Sequence, residues 1–176
     1  MSVSPCLQHV RDFWAESLRD KGRGVQADYQ FREMTIEEAT PGRMVARLPL
    51  QHYHLNGLGS VHGGIIMTLT DIVSWVGLQT EGLPMIPTVS ANMSAEFVRP
   101  AGGAGDVLWI VANKIQRGRK LAFSRIEFYL NDLDSRVCAY GNHTQVVTRE
   151  VTLTHRFSED GQSLIPVEKT AAKAKL

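Results

Sequence analysis

Hydrophobic positions recur along this chain in two rhythms, one near 3.6 residues and one of two, and together they divide it into elements. Between residues 6 and 18, Leu7, Val10, Phe13, Trp14 and Leu18 fall at three- and four-residue spacing, which predicts a short amphipathic helix covering one side of a core. It ends near Lys21-Gly22-Arg23-Gly24. From Tyr29 to Leu50, strand-like segments flank Thr40-Pro41-Gly42-Arg43, with Pro in the second place and Gly in the third as a type II turn requires, so a hairpin is expected. Residues 61 to 80 are apolar on nearly every side and long enough for about five turns of helix. Length alone would admit a membrane span, but Asp71 at the midpoint and the two leading glycines favour a buried core helix.

Four more strands are expected at Thr88 to Val98, Gly105 to Gln116, Leu121 to Leu130 and Arg136 to Val147. Their connections, Pro100-Ala101-Gly102-Gly103, Gln116-Arg117-Gly118-Arg119 and Asn131-Asp132-Leu133-Asp134, carry turn chemistry, and an antiparallel meander follows. Six strands with one long apolar helix after the second imply an α+β domain whose curved sheet wraps that helix. Residues 148 to 157 could add a short strand, and Ser158 onward reads as a polar tail. The chain thus divides into an N-terminal helix over 1–24, a main domain over 25–150 and a C-terminal extension over 151–176.

Composition changes this picture little. With 176 residues and 43% hydrophobic content, the chain can bury a core without disulfides or metal staples. Its 19 basic and 18 acidic side chains nearly cancel, which gives no case for a nucleic-acid or anionic-membrane partner, although a local basic cluster could still hold a phosphate. Cys6 and Cys138 are far apart and read as free thiols of a reducing compartment. Asp12, Glu16 and Asp20 fit neither a transit peptide nor a secretory leader, so no N-terminal address is expected.

Candidate chemistry lies at two points of the long helix. At its mouth, His62-Gly63-Gly64 lets a carbonyl approach the backbone where the first helical N–H groups lack internal partners and the macrodipole is positive. That suits a developing oxyanion, or the glycines simply allow close packing. Asp71 is the stronger anomaly, because a carboxylate in an apolar helix needs a partner, a water or a function, and burial would raise its pKa toward that of a general base. Eight residues separate Gly63 from Asp71, about 12 Å along the axis at ~1.5 Å per residue, so one carbonyl cannot touch both. If both act on a single carbonyl, Asp71 must come from a second copy, with two antiparallel helices across a two-fold axis.

The stretch from Asn56-Gly57-Leu58-Gly59-Ser60-Val61-His62-Gly63-Gly64 to Asp71, followed by Val89-Ser90-Ala91-Asn92-Met93 and Gly118-Arg119-Lys120-Leu121-Ala122-Phe123, closely resembles the hotdog-fold acyl-CoA thioesterases of the phenylacetate-pathway type, including the thioesterase superfamily member 2 branch. The resemblance covers roughly residues 30 to 147. It implies that the Gly63 N–H polarises the thioester carbonyl and that Asp71 of the neighbouring subunit is general base or nucleophile. It further implies that Asn56 orients water or carbonyl and that Ser90 helps hold the water. His62 reads as a residue shaping the loop, beside Gly64. Coenzyme A brings phosphates, for which Arg99, Arg117, Arg119 and Lys120 are candidates, with Gly118 in the nucleotide-facing turn.

The resemblance implies a homodimer or a dimer of dimers, with coenzyme A as part of the substrate and neither separate cofactor nor metal. The N-terminal helix with Trp14 and the tail after Arg149 have no obvious counterpart in the family, which leaves the acyl preference open. Ala174-Lys175-Leu176 is a conservative variant of a peroxisomal import address, so a peroxisomal or a cytoplasmic location is expected, with the import receptor as a partner in the first case. Two rivals share the fold: a hydratase or dehydratase, disfavoured because no His follows Asp71 in the helix, and a non-catalytic acyl-CoA-binding module, disfavoured by Asn56, Gly63 and Asp71 occurring together.

Overall fold

The computed structural model describes residues 3–19 and 26–168. Helix α1, Pro5–Ser17, starts where the Ser4 hydroxyl accepts the Leu7 N–H and Pro5 presets the first turn. It buries Cys6, Val10 and Trp14, and the Trp14 indole N–H donates to the Met34 carbonyl at 3.1 Å. The strand expected from Tyr29 begins later. Residues Ala27–Phe31 form a 3-10 turn that buries Phe31, and the first strand, β1, spans Thr35–Thr40. The hairpin to β2, Arg43–Pro49, turns on Gly42 at φ 82°, the left-handed position that a type II turn assigns to glycine.

Helix α2, Gly63–Leu78, is followed by a 3-10 turn at Gln79–Glu81. Then come β3 (Thr88–Phe97), β4 (Val107–Arg117), β5 (Leu121–Leu130) and β6 (Val137–Val147). All six strands form one antiparallel sheet in the order β1-β2-β4-β5-β6-β3, with α2 packed on it, the hotdog arrangement. The expected meander holds for β4, β5 and β6 only. β3 pairs with β6 and forms the far edge, because β4 has β2 on one side and β5 on the other. Sixteen helical residues, ~24 Å, suffice to carry the chain past the four strand spacings, ~19 Å, that separate β2 from β3.

Close packing of α2 on the sheet depends on Gly141 of β6. A Cβ there would stand 2.1 Å from Thr70 Oγ1, and Thr70 is fully buried. Gly141→Ala is therefore expected to cost about 1–3 kcal/mol, read as a lower urea midpoint at unchanged slope. The helix is also less enclosed than its composition suggests. Gly63, Ile65, Met67, Thr68, Asp71 and Trp75 are only partly buried, while Ile66, Leu69, Thr70, Ile72, Val73, Ser74 and Val76 face the core.

Cys6, Val10 and Trp14 of α1 belong to the same core cluster as α2 and the sheet. The segment from Ser158 is not a plain polar tail. β7 (His155–Phe157) and β8 (Leu164–Pro166) make a separate ribbon, closed by Asp160 accepting from the Ser158 hydroxyl and the Gln162 N–H. The Gly161 carbonyl accepts from the Cys6 N–H at 3.2 Å and ties this ribbon to α1. The terminal Ala174-Lys175-Leu176 lies outside the described residues. Among the described residues no helix is long and apolar enough to cross a membrane.

Candidate active site

The mouth of α2 is built by the loop before it. The His62 imidazole caps the helix, its Nδ1 accepting the Gly64 N–H at 2.8 Å, while the His62 N–H donates to the His54 carbonyl. Gly64 is thereby satisfied. The Gly63 N–H, in contrast, has no acceptor among the described residues. A Cβ at Gly63 would stand 3.2 Å from the ring of Phe97, so a side chain there would have to push that exposed ring aside. Asn56 sets the loop: its side-chain carbonyl accepts from the N–H groups of Leu58 (2.9 Å) and Ser60 (3.3 Å). With that carbonyl engaged, what Asn56 offers a substrate is its NH₂, a donor. Gly63, Asn56, Ile66, Phe97, Arg99 and Ala139 are among the residues lining a cavity of about 460 Å³.

Asp71 opens on a second cavity, of about 250 Å³, shared with Asp28, Trp75, Thr88, Ser90 and Gln145. The burial expected of it is not found: 48% of its side chain is accessible, on a stripe of α2 that this protomer covers only in part. The Ser90 hydroxyl donates to Asp71 Oδ1 at 3.0 Å, and His143 Nε2 stands 3.6 Å from the same oxygen. The Ser74 hydroxyl contacts the Asp71 main-chain carbonyl at 2.8 Å and His143 Nδ1 at 2.5 Å. His143 is buried, and burial pushes its pKa down against the upward pull of Asp71. Burial, and then the charge of Asp71, pushes the carboxyl of Asp28 up.

Asp28, His143 and Gln145 are site residues that the sequence reading missed. His143 and Gln145 carry a usable signal, since with Gly141 and Val147 they occupy the inward positions of β6, where a polar side chain is out of place. Gln145 Nε2 donates to Thr88 Oγ1 at 3.1 Å, and its buried Oε1 has no partner. Asp28 carries no such signal, because only the tertiary fold brings its 3-10 turn to Asp71.

The cationic candidates separate. Arg99 lines the Gly63 cavity. Arg117 is largely buried and held by the carboxylate of Glu81, which also binds Lys114 at 2.9 Å, so its guanidinium is neutralised rather than presented. Gly118, Arg119 and Lys120 form the exposed tip of the β4–β5 hairpin, closed by the Gly118 N–H donating to the Leu121 carbonyl. Among the described residues no group of three or more His, Cys, Asp or Glu is placed to hold a metal ion.

Within one protomer, then, an oxyanion-type donor and an accessible carboxylate occupy different cavities on one helix. A family model described as the thioesterase superfamily matches residues 58–138. A Schizosaccharomyces pombe protein named only as a candidate esterase is 31% identical over 146 residues, 83% of this chain and 87% of that protein. Acyl-coenzyme A thioesterase 13 of Mus musculus is 29% identical over 143 residues, 81% of this chain and 97% of its own. Among solved structures, thioesterase superfamily member 2 from Mus musculus superposes with a TM-score of 0.69 at 26% identity, covering 84% of this chain and 99% of that one.

Proposed function

Because the chain belongs to the thioesterase superfamily, we propose that it hydrolyses acyl-CoA thioesters to a free acid and coenzyme A, at sites shared between two copies of the chain. The observation that carries this reading is the pairing of an unengaged Gly63 N–H at the mouth of α2 with an accessible Asp71 eight residues further on. The acyl-coenzyme A thioesterase 13 named above supports the substrate class.

In the proposed reaction the thioester carbonyl oxygen rests on the Gly63 N–H and the Asn56 NH₂ of one copy. Asp71 of the neighbouring subunit, with Ser90 beside it, takes a proton from water as the water oxygen bonds to the carbonyl carbon. The electron pair moves onto the carbonyl oxygen, where the two donors and the positive helix end stabilise it. Collapse of this tetrahedral species breaks the C–S bond and releases coenzyme A as the thiolate. Arg99, Arg119 and Lys120 stand as cations for the coenzyme A phosphates.

The unpartnered surfaces support the shared site. β3 pairs on one side only, and Val89, Phe97 and Val98 along and beside it are exposed apolar residues. The half-buried stripe of α2 through Thr68, Asp71 and Trp75 is covered by this protomer only in part, Trp75 by Phe13 and Asp71 by Ser90. A second copy added at the β3 edge across a two-fold axis would cover both, and two such dimers could make a tetramer. A free-thiol assay with acyl-CoA esters of graded chain length and one aromatic acyl-CoA tests the activity. Release of one thiol per acid formed is expected, whereas tight binding without thiol release would identify a binding module instead.

A further inference from the structure

Beneath Asp71 lies a buried histidine, His143. His143 projects from the inward face of β6, is 2% exposed, and its Nε2 has no hydrogen-bond partner although it lies 3.6 Å from Asp71 Oδ1. A buried imidazole nitrogen without a partner is costly and calls for a role. Its other nitrogen lies against Ser74, one turn along α2 from Asp71.

The single proton of the Ser74 hydroxyl decides which nitrogen of His143 carries hydrogen. Donated to the Asp71 carbonyl, it leaves the Ser74 oxygen free to accept from Nδ1–H, and both short contacts of Ser74 are satisfied. Nε2 is then a bare lone pair directed at Asp71. Donated to Nδ1 instead, it would abandon the Asp71 carbonyl. The first pattern forms two bonds within hydrogen-bond distance, whereas the second forms one and leaves an Nε2–H facing Oδ1 across 3.6 Å, and a buried neutral imidazole accommodates the first.

We propose that His143 is a positioning residue for the general base, a neutral acceptor whose bare Nε2 holds the proton-bearing form of the Asp71 carboxyl produced when water attacks the thioester. The proposal rests on the thioesterase reading for its consequence but not for its geometry. While Asp71 is ionised, Nε2 and Oδ1 are two acceptors 3.6 Å apart with nothing to share. Once Oδ1 takes the proton from water and the pair closes by a few tenths of an ångström from 3.6 Å, the Oδ1–H donates to Nε2, and the new hydrogen bond lowers the energy of the state that contains it. When the proton leaves, both groups return to their starting forms. Asp28, from the 3-10 turn, is the other charged group facing this cavity. Ser90 and Gln145 face it as neutral groups.

The resting protein supplies the first test. Long-range ¹H–¹⁵N correlation of the histidine imidazoles between about pH 6 and 8 should show His143 protonated at Nδ1 and bare at Nε2, and an Nε2–H tautomer would overturn the proposal whether or not the protein cleaves thioesters. Ser74→Ala removes the acceptor for Nδ1–H and should move the proton to Nε2, and an unchanged tautomer would count against the assignment. His143→Phe, which keeps the buried volume, should lower kcat about tenfold or more with KM within about twofold, and should move the acid limb of the kcat profile to lower pH. His143→Gln, which restores an acceptor, should recover most of the rate. A His143→Phe protein with wild-type kcat and an unmoved acid limb would refute the role. Failure of the wild type to release thiol would refute only the substrate reading.

Discussion

Asp71→Asn is expected to reduce kcat for acyl-CoA hydrolysis by about 10²- to 10⁴-fold while leaving KM and the folded state nearly unchanged. The size follows from the role. A positioned general base contributes on that order, and an amide cannot take the proton that the attacking water must lose. Folding is spared because Asp71 is about half accessible and its contacts are undemanding. The amide oxygen of Asn can accept from Ser90 as Oδ1 does, and surface substitutions of this kind fall within about 0.5 kcal/mol. Circular dichroism and a urea midpoint matching wild type would certify the fold. A variant that retains a rate within about tenfold of wild type would remove Asp71 from the mechanism. Ser90→Ala should cost less, because it removes one orienting hydrogen bond and leaves the base in place.

The elements legible in the sequence were those whose signal is local. Thr40-Pro41-Gly42-Arg43 announced its turn because only a residue tolerant of positive φ fits the third place, and Gly42 has φ 82°. Leu121–Leu130 was read with both ends correct because its hairpins bound it on each side. Gly63 and Asp71 were separable on sequence alone because helical rise fixes their distance before any tertiary fact is known. What stayed hidden depends on long-range pairing. The alternation of β3 states that it is a strand but not which strand it joins, and its partner is 42 to 59 residues away in number, from Thr88↔Val147 inward to Phe97↔Ala139. Arg117 looked like a free cation because Glu81, which neutralises it, lies 36 residues earlier. Asp28 sat beside a stretch read as strand, and the burial assigned to Asp71 assumed that an apolar helix must be covered by its own chain. The apolar pattern of α2 records a surface that the protomer leaves partly open, and for that surface a second copy is the natural cover.

That cover has a kinetic signature. Gly63→Val and Asp71→Asn proteins should each be nearly inactive, the first because a side chain at position 63 meets the Phe97 ring and displaces carbonyl from the N–H, the second for want of a base. Mixed in equal amounts and allowed to exchange subunits, they should form heterodimers in about half of all dimers. In each heterodimer one site receives both substituted side chains and is dead. The other combines the Gly63 of the Asp71→Asn chain with the Asp71 of the Gly63→Val chain and is intact. Half the dimers carrying one of two sites predicts recovery to about one quarter of the wild-type rate, rising from near zero with the time course of exchange. If each site instead drew both groups from a single chain, every heterodimer site would contain one defect and mixing would restore nothing. At ~12 Å along a rigid helix the single-chain site is excluded for one carbonyl, so a mixture that stays inactive while native mass spectrometry shows heterodimers would refute the shared site itself.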